Sequence, residues 1–427
     1  MSAILMIVFI FLIGIGLPIA FAMALATVAA IDFHGLMPFT LLTQRAAIGA
    51  NSFSLLAIPF FILAGNLMNV GGITDRIIVF ANALVGRFTG GLGLTTVLSC
   101  MVFSGVSGSA VADATALGKV LIPGMKKQHY EPGFAAAVTA SASVMGPIIP
   151  PSIPLVIYGL SVGNGVSVAA LFLSGVVPGI LLGVMLMVVT YLIAKKRNYP
   201  VNEAVPMGEV WRSAANASWA LAMPFLILLG VTGGIVTVTE SAAFIVLYAF
   251  FVGMVIHREL KWSDIGPVLV QTALDTAVVM IIIAFASGFG WLMAISGLPK
   301  DIALWIGNFS KDPLVILMLI NGLLLIVGCF MEAIAAMIIL IPVLIPIVQA
   351  AGIDLVHFGI VMVFNLMLGL LTPPVGILLY VCGNFARVKI ETVVREVLPM
   401  LGISLILLVL ITVFPQIAIW LPNAVLK

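Results

Sequence analysis

The sequence contains very little charge. Only 8% of its 427 residues are Asp, Glu, Lys or Arg, whereas a soluble domain carries roughly a quarter. Because so few charges cannot cover a surface that faces water, and because 63% of the residues are hydrophobic, most of the surface must face lipid. The basic residues form no stripe with interleaved aromatic residues, so nucleic acid is not an expected partner.

Cysteine and histidine are also scarce. The three cysteines, Cys100, Cys329 and Cys382, lie in apolar stretches, and their odd number argues against a disulfide framework. The four histidines fall at the ends of predicted spans, and neither an HExxH pattern nor a phosphate-binding P-loop occurs. We therefore expect no cofactor, no metal other than a coupling ion, and no ATP-driven transport by this chain alone.

Long apolar runs are abundant. A spanning helix needs about 20 apolar residues, and nine segments qualify, with a weaker tenth at 75–91. The nine are 3–30, 48–70, 133–163, 168–194, 214–235, 240–256, 267–295, 356–384 and 397–423. Since the first run is too long for a signal peptide and lacks a basic n-region, we interpret it as a retained span.

Two further stretches, 93–125 and 313–350, are too long for one crossing and are interrupted midway, which predicts re-entrant hairpins. Loops rich in Lys and Arg stay cytoplasmic. They occur here at 126–127, 195–197, 258–261 and 387–395. Placing all of them inside predicts that both termini and Arg76 are periplasmic, and that the two hairpins open to opposite sides of the membrane.

An offset of 223 residues aligns the two halves of the chain. The sequence VLIP at 120–123 recurs at 343–346, and the proline pair at 150–151 recurs at 373–374. The same offset pairs Gly105 with Gly328, AVA at 110–112 with AIA at 333–335, and Gly146 with Gly369. Inverted repeats with interrupted helices are typical of secondary transporters, whose binding sites lie where the interruptions meet.

We therefore predict an all-α polytopic membrane protein built from two inverted repeats. The repeats cover 1–197 and 214–427, and a cytoplasmic linker at 198–213 joins them. Each repeat contains a re-entrant helical hairpin (93–125 and 313–350) and a proline-broken helix (133–163 and 356–384).

Polar and small residues gather at the first hairpin tip, FSGVSGS at 103–109. Hydroxyls and glycines at membrane depth are costly unless they line a cavity or bind a ligand, and the next helix points its positive N-terminal end toward the midplane. Close helix packing is the alternative explanation for the small residues. We favour a ligand site because the run lies at a tip.

Prolines interrupt one span in each half, in GPIIPPS at 146–152 and LTPPVG at 371–376. Proline removes a backbone N–H and frees a carbonyl. Freed carbonyls beside Ser or Thr hydroxyls form an oxygen-rich site for a hard cation such as Na⁺. A simple kink is the alternative, but proline pairs at equivalent positions in both halves favour a site.

Glu332 lies at the second tip, and an ionisable group at membrane depth indicates function. It could carry a proton, accept a substrate hydroxyl or complete a cation site, and a buried glutamate with a hydrogen-bond partner is the structural alternative. Asp113, Lys119 and Asp275 are weaker candidates, expected on the wet side of a hairpin or near a membrane end. The sequence TVTE at 237–240 resembles a helix N-cap.

Over essentially its whole length the chain resembles the large (DctM-type) membrane subunit of tripartite ATP-independent periplasmic (TRAP) transporters. The matching stretches are IPFFILAG at 58–65, SGVSGS at 104–109, GFAAA at 133–137, IPPS at 149–152, ESAA at 240–243 and LTPPVG at 371–376. The resemblance implies an ion-transporter-superfamily-like elevator in the bacterial inner membrane, driven by sodium. It also implies a small four-helix membrane subunit, a periplasmic substrate-binding protein and an organic carboxylate as cargo, such as a C4-dicarboxylate or sialic acid.

The resemblance also implies site residues. Ser104, Ser107, Gly146, Ile149 and Pro151 would form one sodium site, and Gly328, Met331, Thr372 and Pro374 its symmetry mate. The candidate substrate-binding residues are Ser109, Ser152, Glu332 and Asn365. No arginine lies near either tip, so an anionic substrate is expected to depend on helix N-termini, hydroxyls and bound cations, unless Lys119 reaches the site.

Three other classes of protein are alternatives to a TRAP permease. A self-sufficient sodium–anion symporter or antiporter of related architecture would need neither a small subunit nor a binding protein, and the chain alone does not distinguish it. An intramembrane enzyme would need a nucleophile–base or carboxylate pair at depth, and Glu332 has no evident partner. A channel has no need of inverted hairpins.

Overall fold

A computed structural model describes residues 2–35, 38–163, 166–202, 205–297, 312–373 and 375–426. All regular elements in these ranges are helices. Eight helical stretches are long and apolar enough to cross a membrane: Phe53–Val70, Val168–Lys196, Met207–Thr232, Val238–Ile256, Trp262–Ile295, Pro313–Phe330, Ala333–Ala350 and Ile390–Val413. The chain is therefore an all-α, multi-pass membrane protein, as the sequence predicts.

The helices before the chain midpoint are α1 (Ser2–Gly14), α2 (Ile19–His34), α3 (Thr40–Ala50), α4 (Ala57–Val70), α5 (Ile73–Val85), α6 (Gly91–Ser107), α7 (Ala110–Lys127), α8 (Pro132–Ser143), α9 (Ile153–Val162) and α10 (Val168–Lys196). A 3₁₀ turn, Phe53–Leu56, leads into α4.

The later helices are α11 (Met207–Thr232), α12 (Val238–Phe251), α13 (Trp262–Ile295), α14 (Pro313–Phe330), α15 (Ala333–Ala350), α16 (Leu355–Gly369), α17 (Ile377–Ala386), α18 (Ile390–Val413) and α19 (Gln416–Val425). A π-helical turn, Val252–Ile256, continues α12. The predicted N-cap at 237–240 is confirmed, because Thr237 and Glu240 form a capping box at the start of α12.

The predicted hairpins and broken helices each consist of two helices. The stretch 93–125 contains α6 and α7, and 313–350 contains α14 and α15. Irregular segments separate α8 from α9 and α16 from α17, at the predicted proline positions. The inverted relationship between the halves stays a prediction. Because α11 begins at Met207, part of the predicted linker 198–213 is helical.

Three predicted spans are wrong in detail. The stretch 3–30 is two packed helices, α1 and α2, and α2 begins directly after Pro18, whose missing N–H suits a helix start. Likewise, 397–423 is divided at Pro415 between α18 and α19. The weak span 75–91 overlaps α5, which has 13 residues and is about 20 Å long, too short for a hydrocarbon core of about 30 Å.

One feature of the predicted orientation is also wrong. Arg76 at the start of α5 forms an ion pair with Glu259, at 2.8 Å between Nη2 and Oε1. His257 Nδ1 lies 3.2 Å from the carbonyl oxygen of Gly71, and burial lowers the pKa of this histidine. The segments 71–76 and 257–259 therefore share one side of the protein, so Arg76 cannot lie across the membrane from the basic loop 258–261.

A second polar cluster joins three other loops. Arg197, after α10, pairs with Glu131 at 2.6 Å and with Glu396 of α18 at 2.8 Å. Its guanidinium also stacks over Phe134, 5.4 Å from the ring centroid. Nearby, Lys126 donates to the carbonyl of Ala386 at 2.8 Å. The basic loops after α7, α10 and α17 therefore meet on one face.

We expect Arg197→Gln to lower the melting temperature of the purified protein. Glu131 is 60% exposed and its pair contributes little, but Glu396 is only 17% exposed and would lose its ion-pair partner. We estimate a loss of about 1–2 kcal/mol for this partly buried group. Arg212→Gln is the matched control because Arg212 is exposed. Equal melting of the two variants in detergent would contradict the prediction.

The helices form two groups that face each other. In the first, α2, α3 and α4 pack on α13, and α12 packs on α4. In the second, α8 contacts α6, α7, α17 and α18. The inner hairpin arms pack in corresponding ways, α7 against α17 and α15 against α9. Each hairpin therefore contacts the broken helix of the other half, and both tips lie near the boundary between the two groups.

Candidate functional site

The first tip is the turn between α6 and α7. Gly108 has a φ of +62°, a conformation that favours glycine. Ser109 then caps α7, accepting a hydrogen bond from the N–H of Ala112 at 3.4 Å. A Cβ atom on Gly108 would lie 2.7 Å from the carbonyl oxygen of Pro151. The tip is therefore packed directly against the break between α8 and α9.

A buried carboxylate lies behind this tip. Asp113 of α7 has no exposed surface. Its Oδ2 accepts from Ser104 Oγ at 3.4 Å, and its Oδ1 accepts a short hydrogen bond from Ser107 Oγ. Gly146 lies next to this carboxylate, since a Cβ atom built on Gly146 would be 2.6 Å from Asp113 Oδ2. Three of the five residues predicted for the first sodium site thus surround Asp113.

The other two predicted residues of this site lie in the same break. Pro151 presents its carbonyl oxygen to the tip. The N–H of Ile149 bonds to the carbonyl of Met145 at 2.9 Å, and its side chain packs against Gly179 of α10. The structure therefore brings together the hairpin tip, the break and an acidic side chain that was only a weak candidate from sequence.

The second tip is built differently. Met331 ends α14 in an extended conformation, and Glu332 caps α15 by accepting from the N–H of Ala335 at 3.0 Å. A Cβ atom on Gly328 would lie 3.2 Å from the Cα of Gly369. The two backbones are therefore in contact where α14 crosses the end of α16, which places Gly328 beside the second break.

Thr372 lies in that break, with its hydroxyl donating to the carbonyl of Leu368 at 2.8 Å. Pro374 lies outside the described residues. Within those residues, no group of three or more His, Cys, Asp or Glu side chains could hold a metal ion. A cation near either tip would accordingly rely on carbonyl and hydroxyl oxygens, joined at the first tip by Asp113.

A cavity of about 630 Å³ lies in front of both tips, between the two helix groups. The first group contributes Asn66 and Asn69 of α4 and Gln271 and Asp275 of α13. The hairpins contribute Ser107, Ser109, Lys119 and Glu332. The rest of the wall is mostly apolar, so these amides, hydroxyls and three charged side chains are the polar part of the cavity.

Lys119 reaches this cavity, which removes the expectation that an anion there would find no cationic side chain. The residue is exposed and makes no ion pair within 4 Å in the described ranges. It lies ten residues after Ser109, about 15 Å further along α7. Asp275, expected near a membrane end, also lines the cavity, and accepts from Gln271 Nε2 at 2.8 Å.

Two predicted substrate residues do not line the cavity. Ser152 is fully buried; its hydroxyl donates to the carbonyl of Pro147 and accepts from the N–H of Leu155, which makes it the cap of α9. Asn365 is also fully buried, and its Nδ2 donates to the carbonyl and side-chain oxygens of Asn321 at 3.0 and 2.9 Å. Ser109 and Glu332 do line the cavity.

Sequence reasoning missed Asn66 and Asn69 of α4 and Gln271 of α13, and it named Asp275 of α13 only as a weaker candidate. Asn66 lies one turn beyond the IPFF run and bonds to Thr272 of α13 at 3.1 Å. A polar residue in an apolar span was the available signal. A second signal was the spacing of Gln271 and Asp275, which lie one helical turn apart. Neither signal indicates which helices face the tips.

The helical fold and a cavity with polar side chains between its two helix groups are those of a multi-pass membrane transport protein. The profile of the tripartite ATP-independent periplasmic transporter family, DctM component, matches residues 6–417. The chain belongs to this family, and is thus the permease component of a tripartite transporter and not an enzyme. Membership implies an inner-membrane location and two further components, a substrate-binding protein and a small membrane subunit.

Relatives cover most of the chain. It is 43% identical over 380 residues to the sialic acid TRAP transporter large permease protein SiaM of Vibrio cholerae, covering 89% of this chain and 88% of that protein. It is 40% identical over 371 residues to the C4-dicarboxylate TRAP transporter large permease protein DctM of Pseudomonas aeruginosa, covering 87% of this chain and 86% of that protein. The isethionate TRAP transporter permease protein DctMQ of Oleidesulfovibrio alaskensis is 41% identical over 398 residues, 92% of this chain and 62% of that protein.

Solved structures share the fold. The Alcanivorax borkumensis YdaH transporter superimposes with a TM-score of 0.63 at 19% identity, over 88% of each chain. Neisseria gonorrhoeae MtrF gives a TM-score of 0.58 at 15% identity, over 87% of this chain and 82% of that one. At such low identities the likeness concerns the fold alone.

Proposed function

We propose that this permease carries out sodium-coupled secondary uptake of an organic carboxylate that a periplasmic binding protein delivers. The observation that carries the proposal is the juxtaposition of both hairpin tips with one polar cavity, and of an oxygen-rich cluster behind the first tip. Ser109 and Glu332 face the cavity, whereas Ser104 and Asp113 lie behind the tip. Substrate and cation would thus occupy opposite sides of the same turn.

The family resemblance implies two sets of cation residues, one in each half. Ser104, Ser107, Gly146, Ile149 and Pro151 would supply oxygens to one Na⁺, and Gly328, Met331, Thr372 and Pro374 to a second. Hard oxygen donors from an interrupted helix suit Na⁺. Because a bound cation would order the tip that contacts the substrate, the two ligands would strengthen each other's binding, and such coupling is reciprocal.

The cavity wall favours a hydroxylated acid as cargo. Lys119 offers one positive charge, whereas Asp275 and Glu332 offer two negative ones. A substrate with one carboxylate could bind Lys119 while its hydroxyls donate to the acidic groups. A compact dicarboxylate has no such donors and would meet like charge. We therefore infer that sugar-type acids are carried in preference to plain C4-dicarboxylates.

An elevator movement is the transport step that this packing supports. The cavity lies between α4 and α13 on one side and the hairpins with their broken helices on the other. Gly65 of α4 meets the backbone of Ser107, with a built Cβ 3.5 Å from its Cα. A small residue at this contact would let the hairpin group slide past α4. Both termini would be periplasmic, and a four-helix small subunit would bind the first group.

The test is uptake into proteoliposomes. The permease is reconstituted with its small subunit, and labelled sialic acid, a sugar acid and a C4-dicarboxylate are each supplied with the binding protein, with and without an inward Na⁺ gradient. We expect uptake that requires all three proteins and Na⁺, with the hydroxylated acids carried faster.

Each other outcome has a definite meaning. Uptake by the permease alone would favour the self-sufficient sodium–anion carrier. Uptake that ignores the Na⁺ gradient would contradict sodium coupling. A faster rate for the C4-dicarboxylate would contradict the substrate preference while leaving the transport class intact.

A further inference from the structure

Asp113 is a buried acid without a cationic partner in the described part of the chain. It is fully buried, and within the described residues no Lys, Arg or His forms an ion pair with it. Its polar neighbours are neutral hydroxyls: Ser107 Oγ donates to Oδ1, whereas Ser104 Oγ donates to the carbonyl oxygen of Cys100 at 2.6 Å and lies 3.4 Å from Oδ2. The N-terminus of α7 carries only about half an elementary charge, which does not balance a buried carboxylate. A buried charge is costly unless another charge pairs with it.

Three chain segments pack around the carboxylate. Its hydroxyl partners come from the end of α6, the acid itself from the first turn of α7, and Gly146 from the break after α8. Only glycine leaves room there, since an added Cβ would meet Asp113 Oδ2 at 2.6 Å. Three chain segments thus converge on one carboxylate without supplying a cation.

The second half has no such acid. The 223-residue offset that aligns the halves places Ala336 at the position of Asp113. Ala336 is fully buried in α15. The acid of the second half, Glu332, caps α15 and faces the cavity instead. The two halves therefore differ by one buried negative charge behind the tip.

We propose that Asp113 is the fixed counter-charge of the first cation site, and that Na⁺ binds to this site before the substrate binds to the transporter. This inference rests on the proposed sodium coupling. An anionic site attracts a cation in the empty transporter. The second site has only neutral oxygens and depends more on the negative charge of the substrate. The two ions consequently bind in a fixed order.

The test measures stability instead of transport. The permease with its small subunit is purified in detergent without substrate, and its melting temperature is followed as Na⁺ replaces K⁺ at constant ionic strength. A ligand that binds only the folded state raises the melting temperature as its concentration passes its dissociation constant. We expect Asp113→Asn to raise the half-maximal Na⁺ concentration at least about tenfold.

The same variant separates a binding role from a structural one. In K⁺ alone, Asp113→Asn should melt no lower than the wild type, because a neutral amide removes the unpaired charge. The control is Asp354→Asn, since Asp354 is exposed and caps α16, a task that asparagine performs about as well. Its Na⁺ response should match the wild type.

The outcomes are distinguishable. A wild-type protein without any Na⁺-specific stabilisation would overturn sodium coupling itself. A wild-type response that Asp113→Asn shares would overturn only the role of Asp113. A variant that melts lower in K⁺, or does not fold, would also overturn it, because it would show that the carboxylate stabilises the fold without a cation.

Discussion

Gly146→Ala should eliminate sodium-dependent uptake at ordinary Na⁺ concentrations. The added methyl carbon would lie 2.6 Å from Asp113 Oδ2 and 3.1 Å from the carbonyl carbon of Ser109. Ser107 donates a short hydrogen bond to Asp113, so the carboxylate cannot move away without weakening that bond. Overpacking of this kind costs about 1–3 kcal/mol. We expect the half-maximal Na⁺ concentration for uptake to rise about 10- to 100-fold, since each 1.4 kcal/mol is tenfold.

Gly322→Ala serves as the matched control for this effect. Gly322 lies in α14, and no atom lies within 4 Å of an added Cβ. Alanine in a helix interior is slightly more stable than glycine, so this variant should transport normally. Initial uptake rates are measured across a series of Na⁺ concentrations. An unchanged half-maximal concentration in Gly146→Ala would disprove a cation site at the first break.

Lys119→Gln should weaken substrate binding without changing the response to Na⁺. The exposed ammonium of Lys119 is the only basic group that lines the cavity among the described residues. A hydrogen bond to a charged group contributes about 1.5–3 kcal/mol. The KM for the carried acid should therefore rise about 10- to 100-fold, and Lys119→Arg should restore much of the affinity because it keeps the charge.

Lys127→Gln is the control for Lys119, because Lys127 is an exposed lysine at the end of the same helix. Uptake is measured against substrate concentration at saturating Na⁺. If Lys119→Gln and Lys127→Gln have the same KM as the wild type, the carboxylate binds elsewhere. If Lys119→Gln changes only the maximal rate, the lysine acts in movement and not in binding.

The general architecture was predictable from composition and pattern. Apolar length identifies spans because a bilayer imposes a fixed thickness, and glycine and proline identify breaks because they change the backbone locally. The hairpin break before Ser109 and the helix break after Gly146 are both of this kind. Short helices were harder to predict from the sequence. Helix α5 has the composition of a weak span, but Arg76 at its start pairs with Glu259, and this contact joins residues far apart in the chain.

Sequence was enough to identify the class of protein, the positions of the breaks and the polar residues at the two tips, since each depends on local backbone chemistry or on solvation by lipid. The roles of the remaining polar residues emerged only from the packing of the helices. Asn365 bonds to Asn321 inside the protein, Lys119 lines the cavity, and Asp113 is enclosed by hydroxyls from α6. A side chain's role depends on the charges and volume around it, and neighbours distant in the chain supply both.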